Sequence, residues 1–165
     1  MKPITQTLTG EEGNCFAACI ASLLEVKLGE IDLIMGGDWY NRFNAWLAPR
    51  GLAYFEIYFT EPLPPSVFGA IAADQLWVAV GPTPRGLLHA VVMRGETLAH
   101  DPHPSAVGLS AIHGAGFLVP LDPSTSASWS SGWEGGWQMA VRTCAREVSR
   151  LGLTNLADHL LRSLR

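Results

Sequence analysis

A chain of 165 residues, 48% hydrophobic and 16% charged, is long enough to bury one real core and is expected to form one main domain. Its net charge of −4, without a Lys or Arg cluster, gives no footprint for nucleic acid or anionic lipid, and no apolar run approaches the roughly 20 residues of a membrane span. The first seven residues lack the apolar segment of a secretory signal. Three cysteines without framework spacing predict free thiols in a reducing, cytoplasmic setting.

Residues 1–13 carry Gln6, Gly10 and Gly13 without helical periodicity and read as a loop. A helix is expected from Cys15 to about Val26–Leu28, with Asn14 as N-cap and Gly29 as stop signal. Phe16, Ile20, Leu23 and Leu24 would form its apolar stripe, with Cys15 at the stripe's edge. A second helix is expected over 38–48, with Asp38 as N-cap, Trp39, Phe43, Trp46 and Leu47 in periodic register, and Pro49 and Gly51 closing it. The aromatic run 53–59 reads as a strand ended by Pro62, Pro64 and Pro65, and 76–80 as a buried strand bounded by Gly81 and Pro82.

Residues 89–93 and 97–101 flank Arg94-Gly95-Glu96 and read as a hairpin. A three-residue turn would set His89 opposite Asp101 on one face. A two-residue turn would put them on opposite faces, and a bulge would shift the count again. Residues 117–121 read as a last strand, with Pro120 marking an edge or its end. Linker composition sets in after Asp122, so the organisation expected is a domain over 1–122, a linker over 123–137 and a helical extension over 138–165, which includes Cys144. Trp129, Trp133 and Trp137 fall four apart, a packing stripe or a partner surface.

A cysteine at a helix N-terminus lies beside the positive end of the helix dipole, which favours the thiolate. The alternative is that Cys15 is an ordinary small core residue. A thiol nucleophile also needs a base, a group that orients the base, and donors for the oxyanion formed on acyl attack. His89, Asp101 and Gln6, the last beside the Cys15 N–H, are the candidates in that order. Each has a structural alternative as core histidine, Asp-Pro turn and surface residue. Arg85, just ahead of His89, has the geometry to bind a substrate carboxylate, and Asn14 borders the thiol as a second candidate substrate contact.

The Gln6 loop, the start of the helix at Gly13-Asn14-Cys15-Phe16-Ala17-Ala18-Cys19, the strand His89-Ala90-Val91-Val92 and downstream Asp101 together resemble a papain-like cysteine peptidase. The resemblance is to compact prokaryotic forms such as bacteriocin-processing and NlpC-type endopeptidases, and it covers roughly residues 4–122. It implies an α+β papain-like fold, with an N-terminal cysteine helix packed on an antiparallel sheet. It also implies a cysteine-dependent hydrolase, a peptidase or isopeptidase, acting on a peptide or protein substrate through a thioester. Cys15 would be nucleophile, His89 base, Asp101 orienting residue and Gln6 oxyanion donor, and no cofactor is implied. Gln6 stands further upstream of the cysteine than the glutamine of papain itself does.

The same constellation would serve a deamidase or acyltransferase, and an inert shell would serve as a binding module. Separately, His89, His100, Asp101, His103 and His113 crowd into a short region whose chemistry suits zinc, although no standard zinc spacing is present.

Overall fold

The computed structural model describes residues 1–64 and 75–122. A 3₁₀ turn over Gly10–Glu12 leads into α1 (Cys15–Leu24), followed by α2 (Leu28–Asp32), α3 (Trp39–Leu47) and a second 3₁₀ turn over Ala48–Arg50. Five strands follow: β1 (Leu52–Leu63), β2 (Leu76–Pro82), β3 (Leu88–Arg94), β4 (Thr97–His100) and β5 (Ile112–Pro120). They form one antiparallel sheet in the order β1-β5-β2-β3-β4. These elements belong to one unit, Met1–Leu121. The linker, helical extension, tryptophan stripe and Cys144 expected beyond it lie outside the described residues.

Alternation places Val78, Ala90 and Val92 on the sheet face that packs with Ala17, Ile20, Ile31, Phe43 and Leu47 of the helices. Trp77, Ala79, Val91, Met93, Ile112 and Ala115 build a second apolar cluster from the opposite alternation. The middle strands are therefore buried on both faces, which is why residues 76–80 and 90–93 run apolar without a break. α1 is enclosed as thoroughly: Ala17 through Ser22 are all buried, so its small residues, more than the expected Leu23–Leu24 stripe, face the core. Phe16, Trp39, Phe43 and Tyr54 meet edge-on or tilted, at centroid separations of 5.1 to 6.5 Å, and fasten α1 and α3 to β1.

Several boundaries differ from expectation for identifiable reasons. α1 stops at Leu24 because Glu25 turns left-handed (φ 57°), and Gly29 lies inside α2, a helix too short to show a period. Asp38 occupies the N-cap position of α3, but its carboxylate binds the Asn41 side chain and caps no backbone N–H. β1 runs through Pro62, which an edge strand tolerates. β5 starts at Ile112 and is interior, between β1 and β2, with Pro120 at its end. Its glycines hid it: a Cβ at Gly116 would overlap the Tyr54 hydroxyl, so the bare backbone is what lets that ring lie across the strand.

Candidate active site

Cys15 is the first residue of α1, so its backbone N–H has no acceptor within the helix. α1 packs on β3 and β2, bringing its N-terminus to the start of β3, where His89 is buried. The His89 Nε2 lies 2.7 Å from Asp101 Oδ1. That leaves Nδ1 for the hydrogen bond shared with the Cys15 sulfur. Asp101, its side chain fully enclosed, also accepts the N–H of His103 on Oδ1 (2.8 Å) and that of Gly108 on Oδ2 (2.9 Å).

The register that joins His89 to Asp101 combines two of the expected alternatives. Arg94 pairs with Thr97 across a two-residue turn, Gly95-Glu96, with Gly95 at φ 53°, the positive φ that a II′ turn requires at its first central position. Left alone, this turn would send Asp101 to the face opposite His89. Between the pairs Met93↔Leu98 and Val92↔His100, however, β4 carries one extra residue, Ala99. Asp101 follows directly on this shifted strand end, and its carboxylate reaches the His89 ring.

Charge completes the arrangement. Burial alone would push the Cys15 thiol up, but hydrogen bonds from His89 and from the Ala90 and Phe16 N–H groups, with the imidazolium charge, hold it below its usual value. Burial would lower the His89 pKa, but the Cys15 sulfur and the Asp101 carboxylate raise it above its usual value. Asp101 is raised by burial and brought below its usual value by His89 and the two backbone N–H groups. Cys19, one turn further along α1, is pushed well up by burial and by the negative charges of Cys15 and Asp101. The two described thiols are thus a candidate thiolate and an inert core thiol.

Gln6 is 7% exposed and lines one cleft with Cys15 and His89. Its Nε2 donates to Leu8 O (2.6 Å), an oxygen that can only accept, which fixes the amide with its nitrogen on that side. A second Nε2 hydrogen remains, while the buried Oε1 has no partner. Two sets of bonds hold the loop. Ser22 Oγ accepts the Ile4 N–H (2.9 Å), His100 Nε2 bonds Ile4 O (2.9 Å), and the Gln6 N–H donates to Pro102 O (3.0 Å), so residues 2–6 bridge α1 and the end of β4.

Asn14 supplies the other set. It stands at the N-cap position of α1 but caps nothing, because its Oδ1 accepts the N–H groups of Thr7 and Leu8 (both 3.0 Å). Its Nδ2 donates to Thr7 Oγ1 (3.0 Å) and to the Asp32 carboxylate (3.2 Å). It is not among the residues lining the cleft and holds the Gln6 loop instead. Sequence reasoning missed Ser22 and Asp32 and weighed His100 only as a zinc ligand, because the roles of all three depend on contacts remote in the chain.

The cleft, of about 520 Å³, is completed by Thr9, Gly10, Gly13, Arg85, Gly86, Leu87, Leu88 and His103. The histidines of the suspected zinc cluster are spread among other tasks, His100 on Ile4 O and His103 on Arg85 and Ser105. Among the described residues no group of three or more His, Cys, Asp or Glu is placed to hold a metal ion, and no helix is long and apolar enough to cross a membrane. No protein-family model, curated protein or solved structure matches the chain.

Proposed function

We propose that the protein is a cysteine-dependent acyl hydrolase of papain-like type, acting on an amide-linked peptide or protein substrate. The observation that carries this reading is the continuous chain Cys15–His89–Asp101, in which a helix-terminal thiol is lowered and its imidazole partner raised. Those opposed shifts favour a thiolate beside an imidazolium, the state in which a nucleophile and a proton donor stand ready together.

The thiolate attacks the substrate carbonyl carbon. A C–S bond forms and the carbonyl electron pair moves onto oxygen, where the Cys15 N–H and the second Nε2 hydrogen of Gln6, which lines the same cleft, would receive it. His89 gives its proton to the leaving nitrogen, the C–N bond breaks and a thioester remains. Water then attacks the thioester, with His89 taking its proton. The acid product departs and the thiolate–imidazolium pair returns. Asp101 keeps the ring oriented throughout.

The test is an activated acyl ester, a p-nitrophenyl ester, followed by intact-mass measurement. One acyl group should appear on Cys15, turn over with time, and be absent from Cys15→Ala. Acylation at other positions only, or none above the background of denatured protein, would refute the reading.

A further inference from the structure

The loop between β2 and β3 presents a fixed cation that the chemistry above does not use. Buried Thr83 closes this loop from both sides: its N–H and hydroxyl donate to Leu87 O (2.9 and 3.2 Å), its carbonyl accepts the Gly86 N–H (2.9 Å), and its hydroxyl accepts the Arg85 N–H (3.2 Å). The Arg85 side chain is pinned as well, by bonds from Nη1 to His103 Nδ1 and Ser105 Oγ. His103 is in turn tied to the catalytic pair, through its N–H on Asp101 and a ring set edge-on to His89 at 6.0 Å.

Both partners of Nη1 accept without carrying negative charge, and among the described residues Arg85 forms no ion pair. With the two Nη1 hydrogens engaged, the Nε and Nη2 hydrogens remain as an open fork. That is the edge of a guanidinium that receives a carboxylate through two parallel bonds. A long side chain already held in place loses little further freedom when a ligand arrives, so its binding is correspondingly less costly. Arg85 lines the same cleft as Cys15 and His89, and Leu87 and Leu88, the latter 71% exposed, follow it along the wall.

We infer that Arg85 forms an anion subsite, and that the substrate carries a carboxylate, beside apolar surface, at a distance from the carbonyl that Cys15 attacks. The inference rests on the proposed reactivity of Cys15. The carboxylate is either a peptide C-terminus or an acidic side chain, and the experiment separates these sources.

The probes are chloroacetyl peptides with zero to three glycines before a leucine, each made with a C-terminal carboxylate or carboxamide. A parallel set carries Glu or Gln ahead of a carboxamide end. The thiolate displaces chloride to form a C–S bond; intact mass counts the adducts and peptide mapping assigns the rate to Cys15 among the three cysteines. At one length the carboxylate probe should react about tenfold faster than its neutral twin or more, as a charge-assisted pair implies. The ratio should fall as salt is raised and approach one in Arg85→Gln. Taking the ratio within each protein cancels any general change in thiol reactivity.

Whichever set shows the preference identifies the carboxylate's source. A ratio near one at every length, or a ratio unchanged in Arg85→Gln, overturns the subsite. Should that variant fail to fold, a salt-insensitive ratio in the parent protein overturns it equally. Failure of the neutral probes to prefer Cys15 over both Cys19 and Cys144 would instead overturn the nucleophile itself.

Discussion

At the scale of single residues, the contrast between Cys15 and Cys19 is the sharpest consequence of the site. Both lie on α1, yet only Cys15 reaches His89 and free N–H groups. Limited iodoacetamide at pH 6 should alkylate Cys15 well before Cys19, with peptide mapping as the readout. In His89→Ala, burial becomes the largest remaining influence on Cys15, so its labelling should require pH above about 8.5. Asp101 makes a separate prediction. Its folded pKa is depressed, so its contribution to stability is present above its unfolded value near 3.9 and lost as pH falls through the lower folded one. Asp101→Asn keeps an acceptor for His89 but turns an amide N–H toward the Gly108 N–H. A loss of about 1–3 kcal/mol by thermal melting at pH 7 is expected, and the difference from the parent should shrink in acid.

At the scale of elements, two features await tests. Gly116→Ala places a methyl against the Tyr54 hydroxyl and should cost about 1–3 kcal/mol by chemical denaturation, although position 116 is remote from the thiol in sequence. Asn14 and Asp32 form a polar clamp on the Gln6 loop. Asn14→Asp would face one carboxylate with another and should slow acylation of Cys15. Adding Asp32→Asn exchanges donor and acceptor and should restore it, which a merely additive pair of defects would not do. The elements also show what the sequence made legible. Long periodic or continuous apolar runs, such as α3 and β2, announced themselves. The αL stop at Glu25 and the glycine-laden first half of β5 did not, since a left-handed cap without Gly and a strand shaped by a neighbouring ring leave no local signal. The bulge at Ala99 is the clearest case, because the sequence offered a two-residue turn and a bulge as separate alternatives and carried no signal that both occur together.

At the scale of the whole molecule, the site draws on segments far apart in the chain: Gln6 and Cys15 from the start, His89 from a central strand, Asp101 from the loop after β4. The order of these residues was readable, but their meeting depends on packing α1 against β3 and on pairing β1 with β5 over more than fifty residues. Such non-local contacts predict folding on the millisecond-to-second scale. In stopped-flow refolding, selective Cys15 reactivity should return with the last tryptophan-fluorescence phase and not before it. The bonds around Asp101 carry one further implication, about descent. Asp101 fastens His89, His103 and Gly108, whereas the Cys15 side chain is a half-buried thiol at a helix end. If Cys15 is the nucleophile proposed above, a lineage released from selection for that chemistry would exchange the thiol at little structural expense, while loss of the carboxylate would loosen three segments together. Decay toward a silent copy would therefore begin at position 15, and a relative lacking the cysteine would be expected to retain the aspartate.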